Sequence, residues 1–324
     1  MTLSTSEQLF HFIDDLERSL DYEPGRTFDC DSIVLCGVGG SAVSGYFVSD
    51  CFFGISTKPI RLIRYPELPS WAGPRTLAVI SSYSGNTAET LEMYRQAKSR
   101  GCSVSVVTSG GILRSEAESS GDHLALLPEG MHPRHAIGFM IGYTLSIMRS
   151  AGCPDLSGRI RAIIPSLRGY RDSVTCEDGQ AKALARTFEG KVPVVCADSW
   201  MASVAFRWKT QINENSKFVA FCESSPMFDA HAMKGWTGAR DDFTLVLLNG
   251  GSRNNPGLSA ASLEGAGCEV IDVPLGGAGR LDDMFRAIIL GDYISMYMAE
   301  ARGIDPAEVR PVMQMKEKLS RSIS

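Results

Sequence analysis

Ser32-Ile33-Val34-Leu35-Cys36 is an unbroken apolar run that stops at Gly37. A strand with one wet face alternates apolar and polar residues. A run apolar at successive positions is covered on both faces, as in a parallel sheet flanked by helices. Similar short runs recur at Pro59–Ile63, Leu77–Ile80, Ser103–Val107 and His123–Leu127. Between them the spacing turns helical. In Thr87–Arg100, Leu91, Tyr94 and Ala97 share one face, and Gly101 follows as a stop residue. The second half repeats the rhythm, with strands expected at Val192–Ala197, Lys217–Cys222, Asp242–Leu248 and Cys268–Val273. Helices are expected at Met201–Ile212, Ser259–Gly265 and Leu281–Ala301. The fold class is α/β, with parallel sheets in three αβα layers. A chain of 324 residues exceeds what one core usually serves, so two domains are expected, 1–150 and 151–324. The polar stretch Gly152–Glu177, in part helical, joins them.

Charge narrows the partners. The formal net charge is −5 and no Lys/Arg run occurs, which argues against a nucleic-acid groove or an anionic membrane surface. An anionic small molecule must therefore be captured by a local site. Nine cysteines, an odd number without a CxxC pair and several inside apolar runs, point to reduced thiols in a cytoplasmic protein. The N-terminus lacks the basic and apolar regions of a secretion signal. Ala136–Met148, the most apolar stretch, is shorter than the roughly 20 residues a bilayer requires and is expected to be a buried helix.

Two loops carry the chemistry. Gly37-Val38-Gly39-Gly40-Ser41-Ala42 follows the first strand and fits the GxGxxA dinucleotide pattern. The end of the next strand, Leu62-Ile63-Arg64-Tyr65, offers no carboxylate for a ribose, although Arg64 would suit a 2′-phosphate. NADP, another phosphate ligand and a purely structural turn all stay open on this loop alone. The second loop, Ser81-Ser82-Tyr83-Ser84-Gly85-Asn86-Thr87, lies between a strand and a helix. A helix N-terminus presents unpaired N–H groups and a positive dipole end. Ser82, Ser84 and Thr87 add hydroxyls, where a simple helix cap needs only one. This is a phosphate cradle without lysine.

Ser82-Tyr83-Ser84-Gly85-Asn86-Thr87 resembles the SxSGxT loop of the sugar isomerase (SIS) domain family, and Gly39-Gly40-Ser41 resembles the glycine loop that precedes it. Further segments resemble the bifunctional phosphoglucose/phosphomannose isomerases within that family. Pro133-Arg134-His135-Ala136 lies before the apolar helix, Asn213-Glu214-Asn215 before a strand, and Val309–Leu319 has the spacing of the family's last helix. The resemblance implies two SIS-type, flavodoxin-like domains, the second completed by the C-terminal helix. It implies metal-independent, cofactor-free interconversion of glucose 6-phosphate and fructose 6-phosphate through a cis-enediolate. In that scheme Gly39, Gly40, Ser41, Ser82, Ser84 and Thr87 bind the substrate, Glu214 moves the proton and Arg134 stabilises the enediolate. His231 and Lys316 open the ring, and His231 reaches a neighbouring subunit's site in a homodimer. Two departures stand out: His231 is flanked by alanines, and Val309 falls where members accepting mannose 6-phosphate have a threonine. Two other readings remain, a non-catalytic sugar-phosphate sensor and an NADP-dependent oxidoreductase. His132 and His135 straddle Pro133 with no carboxylate at ligand spacing, so no metal site is expected.

Overall fold

Nine strands form two parallel sheets in the computed structural model, which describes residues 4–225, 234–238, 241–250 and 266–308. The first sheet contains β1 (Ser32–Gly37), β2 (Ile60–Ile63), β3 (Thr76–Ser81), β4 (Ser103–Thr108) and β5 (His123–Leu126), in the order β2-β1-β3-β4-β5. The second contains β6 (Val192–Asp198), β7 (Phe221–Ser225), β8 (Phe243–Asn249) and β9 (Glu269–Pro274), in the order β7-β6-β8-β9. Helices α1 (Thr5–Phe10) and α2 (Phe12–Ser19) precede the first sheet. Helices α3 (Gly40–Cys51), α4 (Ala88–Ser99) and α5 (Gly111–Ser119) connect its strands, and α6 (Ile137–Ser150) follows it. Helices α7 (Ser157–Thr175), α8 (Gln180–Thr187), α9 (Ala202–Ser216) and α10 (Arg280–Ala301) belong to the second half.

Both faces of each sheet are covered, as the unbroken apolar runs require. Along β1, Ile33 and Leu35 enter one core while Val34 and Cys36 enter another, because successive side chains point to opposite faces. The larger core is continuous through the molecule. It joins Leu77 and Val79 of the first sheet to Val195 and Leu248 of the second through residues of α2, α3, α6, α7, α8, α9 and α10. Smaller cores lie on the opposite face of each sheet. Helix α6 is the expected buried apolar segment. Among the described residues no helix is long and apolar enough to cross a membrane. All nine cysteines are free thiols and six are buried.

Three boundaries differ from expectation. The joining segment is mostly one 19-residue helix, α7, whose stripe Ile160, Ile164, Leu167 and Val174 docks on the core. Helix α9 runs past Ile212 to Ser216 and ends at Lys217, whose left-handed backbone (φ 52°) is the one non-glycine case of positive φ among the described residues. That turn absorbs the residues expected to start the next strand, so β7 begins only at Phe221. The expected helix Ser259–Gly265 lies outside the described residues.

The halves are tied by specific contacts as well as by the core. The Asp50 carboxylate, from α3, accepts a 2.8 Å hydrogen bond from the Ser203 amide in the first turn of α9, a cap supplied by a distant element. Helices α9 and α10 approach closely because Gly291 leaves room for Trp208. A Cβ at Gly291 would lie 2.3 Å from the indole, whose Nε1 donates to the Ala287 carbonyl at 2.7 Å.

Candidate active site

In a sheet ordered β2-β1-β3, the chain leaves β1 and β3 in opposite lateral directions, and a crevice opens beyond their carboxyl ends. The two motif loops meet there. The Ser41 Oγ, in the first turn of α3, accepts a 3.2 Å hydrogen bond from the Tyr83 amide of the hydroxyl loop. Ser82 is buried and spent inside its loop: its Oγ accepts from the Gly85 amide at 3.2 Å and donates to Thr87 Oγ1 at 3.3 Å. Ser84 is exposed and Thr87 partly exposed. Thr87 occupies the N-cap of α4, yet its side chain makes no capping bond. Among the described residues the first amides of α4 therefore have no side-chain acceptor from the N-cap, as an anion site requires.

Gly85 is dictated by packing. Its φ is +67°, and a Cβ there would sit 1.8 Å from the Gly110 carbonyl oxygen. Asn86 turns away from the crevice, its Oδ1 accepting from the Ile112 amide at 3.0 Å at the start of α5. The Tyr83 hydroxyl donates to the Pro128 carbonyl at 2.8 Å and accepts from the Met131 amide at 2.8 Å. The hydroxyl loop thus fixes the segment that leads to Arg134.

Arg134 is only 5% exposed, not the surface arginine its place before a helix would ordinarily make it. Gly40 lies beneath it: a Cβ at Gly40 would be 3.6 Å from the Arg134 Cα. The Arg134 Nε donates to Asn215 Oδ1 at 2.9 Å, and Nη2 donates to the Pro306 carbonyl at 2.8 Å. Its Nη1 faces Glu214 Oε2 at 3.5 Å. Burial pulls the guanidinium below its ordinary pKa while the Glu214 charge opposes this; arginine stays cationic regardless. The Glu214 side chain is 44% exposed, so a carboxylate open to solvent stands beside a desolvated cation. Lys217 adds a second positive charge, its ammonium donating to the Glu214 and Pro306 carbonyls.

The glycine loop, Arg134 and Glu214 are therefore brought together from three distant parts of the sequence. His231 and Lys316 lie outside the described residues, as does Val309. Arg64, the residue singled out for a 2′-phosphate, lies over the Phe206 ring at 5.3 Å. His132 and His135 meet edge to face, their ring centres 6.0 Å apart.

Residues 177–319 match the model of the bacterial phospho-glucose isomerase C-terminal SIS domain. The bifunctional phosphoglucose/phosphomannose isomerase of Aquifex aeolicus is 30% identical over 89% of this chain and 90% of its own. The chain belongs to the bifunctional phosphoglucose/phosphomannose isomerase family. The member from Caldicellulosiruptor bescii is 28% identical over 97% of this chain and 98% of its own. The fold of the family is also that of the C-terminal domain of glucosamine-fructose-6-phosphate aminotransferase from Francisella tularensis. That structure has a TM-score of 0.70 at 13% identity, covering 93% of this chain and 97% of the other. Both sheets are parallel, so the family fold is the expected pair of α/β SIS-type units.

Within this family frame the sequence reading overlooked the buried support of the site. Arg207 and Asp292 form an ion pair whose side chains are 3% and 2% exposed, and Ser295 is fully buried beside them. A signal existed: Asp292 interrupts the apolar stretch Ala287-Ile288-Ile289-Leu290-Gly291 in α10, where a charge must have a partner.

Proposed function

We propose that this protein interconverts glucose 6-phosphate and fructose 6-phosphate by proton transfer through a cis-enediolate, with mannose 6-phosphate a further substrate to be tested. One observation carries the reading. An exposed carboxylate, Glu214, stands 3.5 Å from a buried, fixed guanidinium, Arg134, which rests on the glycine loop that bonds the hydroxyl loop. Moving hydrogen between C1 and C2 needs a base over those carbons and a cation where negative oxygen develops. Glu214 supplies the base. Arg134, already stripped of water, stabilises the oxyanion without reorganising at the moment of reaction.

The phosphate binds at the start of α4, where Ser84, Thr87 and free amides are available, with Ser41, Gly39 and Gly40 lining the crevice. Ser82 acts through the loop, holding Gly85 and Thr87 in place. His231 and Lys316 open the sugar ring, as their positions in the family pattern imply. The enzyme works in the cytoplasm as a homodimer in which His231 reaches the partner's site. The SIS units divide near residue 150; the family match covers 177–319 of the second unit. Glu214→Gln tests this most directly. In a coupled assay turnover falls about a thousandfold or more, while stabilisation by fructose 6-phosphate against heat persists. Normal turnover in that variant would sink the mechanism. Stabilisation of the wild type by sugar phosphate without interconversion would favour the sensor.

A further inference from the structure

Behind Arg134 the hydrogen bonds close into a ring. The Arg207 Nε and Nη2, from α9, hold the two Asp292 carboxylate oxygens at 2.9 and 2.6 Å, and the same Nη2 reaches the Arg134 carbonyl at 3.2 Å. The Asp292 carbonyl, on α10, accepts from Ser295 Oγ at 2.6 Å. Ser295 Oγ accepts from Asn215 Nδ2 at 2.9 Å, and Asn215 Oδ1 accepts from Arg134 Nε at 2.9 Å. The circuit thus starts and ends on Arg134, gripping both its backbone and its side chain. Every residue in it is 5% exposed or less.

Stability is a weak reason for such a ring. Taking two charges out of water is costly, and apolar residues of similar volume at such positions are often as stabilising or more so. The ring does something an apolar pair cannot. It sets the direction of the Arg134 guanidinium, leaving Nη1 toward Glu214. Through Asn215 it also fixes the last turn of α9, on which Glu214 sits. An error of about 1 Å in such a pair costs on the order of a hundredfold in rate.

We propose that Arg207 and Asp292 are positioning residues for the reaction, acting through Arg134 on one side and through Ser295 and Asn215 on the other. The inference rests on the reading of Glu214 and Arg134 as the reacting pair. Asp292→Asn keeps the shape of the side chain but removes the charge that holds the Arg207 fork. Its kcat for fructose 6-phosphate falls about a hundredfold, with KM and the thermal shift induced by inorganic phosphate within twofold of wild type. In an Arg134→Ala background the same substitution lowers kcat by clearly less than a hundredfold, because one of the two groups it positions is gone while the link through Ser295 and Asn215 to the turn bearing Glu214 remains. Ser295→Ala, which cuts the ring at an uncharged link, shows the same split of kcat from KM and decides the matter if Asp292→Asn does not fold. Unchanged kcat in a folded ring variant overturns the inference. So does an undiminished loss in the Arg134→Ala background, or a loss of phosphate-induced stabilisation alongside kcat. A wild-type chain that does not interconvert the sugars would instead sink the function proposed above, so the two failures are distinguishable.

Discussion

Asp15 lies in α2 at 7% exposure, and burial pushes its carboxyl up to about 6 from 3.8, with Arg18 only partly opposing. The folded state holds the proton more tightly than the unfolded chain, which fixes the sign. Below about pH 3.8 both states are protonated and the group is neutral to stability. As pH rises from there to about 6 the unfolded chain ionises first, and folding loses stability. Above pH 6 the loss is complete, and solvent screening keeps it below about 3 kcal/mol, the full value at 1.36 kcal/mol per pKa unit. Asp15→Asn therefore raises the melting temperature at pH 8 and leaves it nearly unchanged near pH 3.5, a contrast read by thermal denaturation at both values. An equal shift at the two pH values would show that ionisation is not the cause. His135 acts at the same scale with the opposite sense. Among the described residues neither ring nitrogen has a hydrogen-bond partner, and burial holds its pKa well below the ordinary histidine value. It stays neutral in the fold and weakens it as pH drops below about 6.5, where the unfolded chain takes up the proton.

At the level of the element, the hydroxyl loop is shaped by its second duty. It not only ends β3 and begins α4 but also satisfies the start of α5, through the Gly85 carbonyl to the Leu113 amide at 2.9 Å and Asn86 to Ile112. Gly85 stands where the loop passes closest to Gly110, in a backbone region that L-residues avoid. Gly85→Ala is expected to displace the loop, costing roughly 2 kcal/mol or more in stability. The phosphate-induced thermal shift should vanish with it. Wild-type phosphate response in Gly85→Ala would show that the loop is not the anion site. The hydroxyl cluster was legible in the sequence, but the division of labour within it was not. Ser82 looks like a ligand group in one dimension, and in the fold its hydroxyl is bonded within its own loop.

Across the whole molecule, one apolar core runs between the two sheets, and the site lies where loops of the first half meet α9 and the end of α10. The fragment 1–150 would carry α2, α3 and α6 with their inner faces bare. It is expected to lack the cooperative thermal transition and near-ultraviolet dichroism of the full chain. A fragment that melted cooperatively as a monomer would show that the halves are energetically independent. In a protein of net charge −5, helix amides, Arg134 and Lys217 gather positive potential locally, as the proposed phosphate site requires.

The order of strands and helices, their parallel arrangement and the hydroxyl loop were written in local pattern, because apolar runs, helical spacing and turn residues act over a few positions. Asn213-Glu214-Asn215 and Arg134 were marked by resemblance, but 80 residues separate Arg134 from Glu214, and only packing of α9 against α3 and α10 places them 3.5 Å apart. Burial of Arg134, the capture of Ser82 by its own loop and the ring through Arg207 and Asp292 were likewise decided by the tertiary fold. The physical reason is common to all three. Hydrogen-bond partners and desolvation depend on what surrounds a side chain in space, and residues far apart in sequence supply those surroundings.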